Sequence, residues 1–115
     1  MKRGKIVALR LTRKVGNSIN FKHKKTGNIV NLKVMSQSPS RYARVLIMGK
    51  LYTFYNQSTK SEYSAPFNFD LDGSPISITC RTFSRTAVFS INAPKSTIDI
   101  ERDDMHENRD SRPTV

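Results

Sequence analysis

The chain has 115 residues and a mass of 13.1 kDa, which suits one compact domain and excludes two ordinary ones. Apolar residues make up 37% of it, in runs of at most four. This composition excludes wholesale disorder, a membrane-spanning helix and a secretory signal, and we expect a soluble, cytoplasmic protein. A single cysteine excludes an internal disulfide, and the formal net charge of +11 favours a polyanionic partner.

Apolar and polar residues alternate with a period of two along most of the chain, which is typical of β-strands. In chain order, this pattern predicts strands at residues 9–13, 19–21, 30–34, 43–47, 51–55, 67–71, 76–80, 87–91 and 98–102. Turn-forming residues separate these segments, and helical spacing is absent apart from a short helical turn predicted after Arg102. The sequence therefore predicts one all-β domain of short strands over residues 1–105, followed by a flexible tail at residues 106–115.

Positive charge is concentrated in the first half of the chain. Residues 1–60 contain 14 Lys and Arg residues and no Asp or Glu, whereas residues 61–115 contain 6 basic and 9 acidic residues. A half-chain without a carboxylate cannot neutralise its own charge, so we expect nucleic acid as an external polyanion. A membrane surface is disfavoured because no amphipathic helix carries these charges.

Two segments of the chain carry distinctive sequence motifs. The first reads Leu-Thr-Arg-Lys-Val-Gly at residues 11–16, and the second reads Ile-Asn-Ala-Pro-Lys at residues 91–95, before a strand that reaches Arg102. In this order, they resemble the opening strand, the Asn-Ala-Pro loop and the closing strand of the carbon storage regulator (CsrA/RsmA) family of bacterial RNA-binding translational regulators. The resemblance covers the two ends only, because residues 22–70 have no counterpart in a family chain, which is about half as long.

The middle of the chain repeats a pattern found near its end. Residues 27–34 and 73–80 each have a Gly followed by apolar residues at the third, fifth and seventh places, with a Phe-bearing strand before and an apolar strand after. This order indicates an internal duplication, with degenerate copies at about residues 8–56 and 60–105. The pattern also fits two unrelated hairpins, because apolar and polar residues alternate in a similar way in any hairpin.

The resemblance implies the arrangement of that family, an interlocked dimer. In it, each RNA site combines the first strand of one subunit with the last strand of the other. The resemblance therefore implies CsrA-like interlocked sheets, arranged here as a monomeric single-chain pseudo-dimer. It implies one working site, where residues 9–14 lie beside residues 98–102. A reciprocal site, with a first strand near residues 61–66 and a last strand near residues 51–55, lacks the Thr-Arg pair and the closing Arg. The alternative is a homodimer whose subunits carry a large β insertion.

The resemblance assigns eleven residues to the working RNA site. They are Leu11, Thr12, Arg13, Lys14, Asn92, Ala93, Pro94, Ile98, Ile100, Glu101 and Arg102. Four further cations, Arg10, Lys22, Lys24 and Lys25, are predicted to contact phosphates.

Arg102 matches the closing arginine on which the family relies most. A guanidinium group can fork onto a phosphate or a guanine edge and can stack on an exposed base, although it can also pair with a neighbouring aspartate. Arg13 and Lys14 match the paired basic residues of the opening strand, and Lys14 keeps a phosphate contact without the bidentate geometry of arginine. Glu101 stands where the family usually has His, which puts an acid next to Arg102.

The resemblance implies a non-enzymatic post-transcriptional regulator that binds GGA motifs in single-stranded or hairpin-loop mRNA leaders and represses translation. Two other interpretations stay open: a protein-interaction decoy that antagonises a CsrA-type regulator, and a general basic nucleic-acid binder. No catalytic or phosphate-loop motif is recognisable, and neither a cofactor nor a metal is expected. The aromatic residues Tyr52, Phe54, Tyr55, Tyr63, Phe67 and Phe69 are predicted to fill the core or the interface between copies rather than to stack on bases.

Overall fold

The computed structural model describes residues 6–57 and 63–103, which form nine β-strands and no helix. The strands are β1 (Ile6–Arg13), β2 (Ser18–His23), β3 (Ile29–Ser38), β4 (Tyr42–Ile47), β5 (Lys50–Tyr55), β6 (Phe67–Leu71), β7 (Ser74–Thr82), β8 (Ala87–Pro94) and β9 (Ile98–Asp103). The all-β prediction is confirmed, and every predicted strand lies within one of these elements. The predicted helical turn and tail lie outside the described residues, apart from Asp103, which continues β9. Within the described ranges, no helix is long and apolar enough to cross a membrane.

Antiparallel pairing joins the strands into two sheets that pack face to face. The four-stranded sheet has the order β1-β8-β7-β6, and the five-stranded sheet has the order β5-β4-β3-β2-β9. The apolar side chains on the inner face of each sheet form one core. Phe21, Leu32, Val45, Ile78 and Phe89 are completely buried there. Each such side chain contributes roughly 1.5–3 kcal/mol by leaving water, so this core is the main reason why the two sheets stay together.

The first and last strands each join the sheet formed by the other half of the chain. β1 pairs with β8 from Ile6 opposite Pro94 to Arg13 opposite Ala87. β9 pairs with β2 along its whole length, and Ile100 lies opposite Phe21. Neither sheet can therefore be completed by one half of the sequence alone.

The two sheets repeat the same order of strands. Strands β1 to β4 of the first half correspond in order to strands β5 to β8 of the second half. When each strand is exchanged for its counterpart, the order β1-β8-β7-β6 becomes β5-β4-β3-β2, which is the larger sheet without β9. The registers agree as well, because Phe21 lies opposite Val30 and Phe69 lies opposite Ile76. These two equivalent phenylalanine rings meet in the core, with centroids 5.7 Å apart and planes at 79°.

A two-residue turn determines where β5 lies. Met48 and Gly49 connect β4 to β5 with φ angles of 51° and 78°. Two successive positive φ values are typical of the type I′ turn, which returns the chain directly along the strand it has left. β5 consequently pairs with β4, in the position that β1 has on β8.

Candidate nucleic-acid interface

The two strands that carry the family-like motifs, β1 and β9, lie on the edges of different sheets and are not paired with each other. At their starts, Ile6 pairs with Pro94, which is four residues before β9 begins. At their ends, Arg13 is five residues before Ser18, which pairs with the last residue of β9. The two strands are therefore joined at both ends and run parallel along one side of the molecule, as the edges of two sheets rather than as neighbours in one.

Several of the predicted RNA-binding side chains belong to the core. Leu11, Ala93 and Ile98 are buried, and Ile100 packs against the same cluster. Because side chains alternate along a strand, every second residue of β1 and β9 faces inward. These four residues hold the strands in place and do not present their side chains to solvent.

Arg13 also faces inward, although the resemblance assigns it an RNA contact. Its side chain is in phase with Leu11, and only 5% of the residue is exposed. The guanidinium Nε donates to the carbonyl of Thr12 at 2.7 Å, and Nη1 donates to the carbonyl of Ser18 at 3.4 Å. Arg13 is therefore held inside the core by a short hydrogen bond to β1 itself, with a longer and weaker one to the first residue of β2.

The exposed cations of β1 alternate with these inward residues. Arg10, Thr12 and Lys14 are exposed. The backbone N–H of Lys14 donates to Oδ1 of Asn17 at 3.1 Å, which orders the turn without using the lysine ammonium group. Arg10 also lines a depression of about 460 Å³ together with Asn92. This face of β1 offers two cations and a hydroxyl group to a ligand.

The Asn-Ala-Pro segment forms the end of β8 rather than a separate loop. Asn92 is exposed and lies between two depressions, the one shared with Arg10 and a second of about 290 Å³. The second is lined by Asn68, Pro75, Ile76, Ser77, Asn92, Ala93 and Pro94. Small and ring side chains here leave the backbone accessible, which permits close approach of a flat ligand such as a base.

Arg102 is in phase with Ile98 and Ile100 and lies opposite Ile19 on β2, but near the end of β9, where it is exposed. Glu101 is its neighbour in sequence and lies opposite Asn20. Consecutive residues of a strand point to opposite faces, so the carboxylate of Glu101 is directed away from the face of Arg102. The acid that replaces the family's histidine therefore leaves the guanidinium group accessible to an anion.

The supporting lysines divide into two kinds. The Nζ of Lys24 donates to the carbonyl of Lys95 at 2.9 Å and lies 3.8 Å from Oδ1 of Asp99. Its ammonium group therefore links the β2–β3 turn to β9 and to the segment before it, while 40% of the side chain stays exposed. Lys22 and Lys25 are exposed. Lys24 thus has a structural role, whereas the other two remain available for phosphate contacts.

On the opposite side of the molecule, β5 and β6 form the equivalent pair of edges. The prediction that residues 51–55 are a last strand is wrong, because β5 has the position of a first strand on β4. The first strand predicted near residues 61–66 is not a strand at residues 64–66, and residues 61–62 lie outside the described ranges. Among the described strands, none covers the outer edge of β6 as β9 covers that of β2.

The described cysteine and histidine have structural surroundings. Burial raises the pKa of the Cys80 thiol to about 12, which suppresses the nucleophilic thiolate. His23 is buried, and its Nδ1 accepts hydrogen bonds from the backbone N–H groups of Lys25 and Thr26 at 3.2 and 3.3 Å. Residues 6–57 and 63–103 contain no cluster of three His, Cys, Asp or Glu side chains that could hold a metal ion.

The aromatic residues are divided between the core and the surface. Phe54 is buried, and Phe67 and Phe69 pack against the core, as predicted. Tyr55 departs from the prediction, because it is 64% exposed. The alternation of Phe54 and Tyr55 already puts them on opposite faces, but only the pairing of β5 with β4 decides which of them is inside.

Comparison with known proteins adds no relative: no family model, curated protein or solved structure matches this chain.

Proposed function

We propose that this protein is a non-enzymatic, RNA-binding post-transcriptional regulator in the cytoplasm. It is a monomeric pseudo-dimer of two degenerate carbon storage regulator-type subunits in one chain. Its single RNA site lies along the edges formed by β1 and β9. The ligand is a single-stranded or hairpin-loop mRNA leader with a GGA motif, and binding there represses translation by blocking access of the ribosome.

The exchange of strands between the two sheets carries this proposal. β1 and β9, the two segments with family-like motifs, each join the sheet of the other half of the chain and run parallel along one side. An interlocked arrangement of first and last strands is what the resemblance implies for an RNA site. The repeated strand order supports a duplication, and the lack of a described strand on the outer edge of β6 supports a single site.

The chemistry of these edges suits unpaired RNA. Among the described strands, β1 pairs only with β8 and β9 pairs only with β2, so each has one edge of free backbone donors and acceptors. Such groups can bond the Watson–Crick edges of unstacked bases. The exposed guanidinium of Arg102 can bind guanine or phosphate, and Lys22, Lys25, Arg10 and Lys14 can neutralise further phosphates.

The site is tested with a GGA hairpin and a control in which GGA is replaced by CCA. Arg102→Ala should weaken binding to the GGA hairpin by about 1–3 kcal/mol and change binding to the control little. Lys22→Ala should weaken both RNAs alike and reduce the salt dependence, whose slope is roughly −0.7 per phosphate contact on single strands. Equal losses on both RNAs for Arg102→Ala would exclude a specific site at β9.

The assembly is tested by light scattering with a short hairpin at moderate salt. We expect a monomer of 13.1 kDa that binds one hairpin. A dimer with two hairpins would replace the pseudo-dimer by the homodimer with a β insertion and leave the RNA-binding assignment in place. Binding of both hairpins with equal affinity would support a general basic nucleic-acid binder.

The outer edge of β6, which no described strand covers, favours a protein-interaction decoy as a second candidate function. A free strand edge can accept an extended segment of another protein through backbone hydrogen bonds. A decoy that antagonises a CsrA-type regulator would use such an edge, and its own RNA site would be vestigial. A monomer that ignores the GGA hairpin but binds that regulator would favour this function over the first.

A further inference from the structure

The outer face of β3, β4 and β5 carries a group of aromatic and basic side chains. Three cross-strand pairs between β4 and β5 alternate with core pairs and therefore point outward. They are Tyr42 with Tyr55, Arg44 with Thr53, and Leu46 with Leu51. Lys33 on β3 lies opposite Leu46 and extends this face by one strand. We call Lys33, Tyr42, Arg44, Leu51 and Tyr55 the tyrosine face.

The rings of the tyrosine face are accessible and supported by their neighbours. The centroids of Tyr42 and Tyr55 are 5.9 Å apart, with planes at 65°. Cζ of Arg44 lies 5.4 Å from the centroid of Tyr42, within the range of a cation–π contact. Tyr55 and Leu51 are 64% and 57% exposed. A flat group can therefore reach the Tyr55 ring without any movement of the backbone.

The charged residues of β3, β4 and β5 are all positive. Residues 1–60, which include all three strands, contain no Asp or Glu. Lys50 and Arg41 are exposed at the ends of the strands. The acidic residues described on this sheet, including Glu101, are on β9. At ~4.8 Å per strand, β9 is about 19 Å from β5, which carries Tyr55, and about 10 Å from β3, which carries Lys33.

The combination of aromatic rings and positive charge on the tyrosine face favours one class of ligand. Protein–protein interfaces are enriched in Tyr and Arg but depleted of Lys, whereas this face contains Lys33 and is bordered by the exposed Lys50. Aromatic rings among cations are the arrangement that binds single-stranded nucleic acid, because every base has a π-face and every nucleotide has a phosphate. Base stacking on a ring also tolerates any sequence, unlike recognition by hydrogen bonds.

We propose that the tyrosine face binds unpaired nucleotides, with a base stacked on Tyr55 and phosphates near Arg44 and Lys33. The inference rests on the proposed function in taking RNA as the ligand, but the face shares no residue with the site at β1 and β9. It lies on the outer surface of the sheet that has β9 as its other edge. It would hold the single-stranded flank of a message whose GGA motif occupies that edge.

The test compares a GGA hairpin without a tail with the same hairpin carrying a ten-nucleotide uridine tail at either end. For the unmodified protein, one tailed hairpin should bind more tightly than the tail-less one. Tyr55→Ala should remove this gain, weakening the tailed complex by about 5- to 100-fold, and should leave the tail-less hairpin unchanged. Tyr55→Phe keeps the ring and should keep the gain. Tyr55 is exposed, so both variants should fold.

A matched control is available on the other sheet, after the end of β7, where the neighbouring Thr82 bonds to Asn56 and Ser38 beside the tyrosine face. Arg81 and Phe83 form another guanidinium–ring pair, with Cζ 4.9 Å from the ring centroid, and Phe83 is 39% exposed. Phe83→Ala should leave the gain from the tail intact. Loss of the gain in Phe83→Ala as well as in Tyr55→Ala would overturn the assignment to the tyrosine face.

Oligouridine alone separates this inference from the proposed function. The chain has four tyrosines and no tryptophan, so tyrosine dominates its fluorescence. A base stacked on Tyr55 should quench part of this emission, and Tyr55→Phe should change the amplitude of the quenching. Oligouridine binding that depends on Tyr55, together with equal binding of GGA and CCA hairpins, would retain the tyrosine face and refute the specific site. A GGA-specific hairpin complex that gains nothing from either tail would refute the tyrosine face and retain the specific site.

Discussion

Replacing Arg13 by alanine should destabilise the fold rather than remove a direct RNA contact. The side chain is in phase with Leu11 and is 5% exposed. It donates hydrogen bonds to the carbonyls of Thr12 and Ser18, at 2.7 and 3.4 Å. Arg13→Ala removes both donors and the packing of the arginine methylene groups against the core.

The magnitude follows from these two contacts. A hydrogen bond to a charged donor contributes roughly 1.5–3 kcal/mol, and the 3.4 Å bond is long enough to add little. The expected loss in the free energy of unfolding is therefore about 2 kcal/mol. At roughly 2.1 cal/mol/K of unfolding entropy per residue, such a loss lowers Tm of a domain of this size by roughly 8 °C.

Arg10 provides the control on the same strand. It is an exposed arginine on the opposite face of β1, so Arg10→Ala should change the free energy of unfolding by less than about 0.5 kcal/mol. Tm and urea midpoints of both variants, measured beside GGA hairpin affinity well below Tm, separate the roles. An unchanged Tm for Arg13→Ala with a large loss of GGA affinity would refute the structural role.

Two further predictions concern Asp72 and Cys80. Hydrogen bonds from Thr26 Oγ1 at 2.6 Å and Asn28 Nδ2 at 2.8 Å lower the pKa of Asp72 below its ordinary value of 3.8. The charged Asp72 therefore stabilises the fold above pH 3.8, and this stabilisation is lost as the pH falls through the lower pKa of the folded state. Urea titrations at several pH values should show that Asp72→Asn lacks this loss of stability in acid. Cys80 is completely buried with a pKa of about 12, so a thiol-reactive disulfide should not label it at pH 8 until urea unfolds the chain; rapid labelling of the folded protein would contradict the buried position.

The sequence alone was sufficient for the strands and most of the turns. The alternation at Val30, Leu32 and Val34 is local, and a half-buried strand requires no more than this period of two. Asp72-Gly73 is likewise a local signal, because two residues that tolerate positive φ between apolar strands indicate a tight hairpin. The repeat of glycine and apolar residues in the two halves was also readable without coordinates.

The site was predictable only in part. The motifs located β1, β8 and β9, but they did not tell which of their side chains reach solvent. Arg13 is in phase with Leu11, and a resemblance that transfers residue types does not transfer exposure. Its aromatic side chain predicts Tyr55 in the core or at the interface between copies, whereas its neighbour Phe54 occupies the interior and Tyr55 is exposed.

Tertiary structure decided the pairing. β1 meets β8 and β9 meets β2 across about 80 residues of chain, and no local pattern encodes such a partner. The short Met48-Gly49 turn likewise placed β5 on β4 and left the outer edge of β6 without a described strand. Periodicity depends on each strand's own side chains, whereas partner choice depends on how all the inner faces fill one core. The sequence therefore determined which segments are strands, and the shared core determined which edges are free to bind.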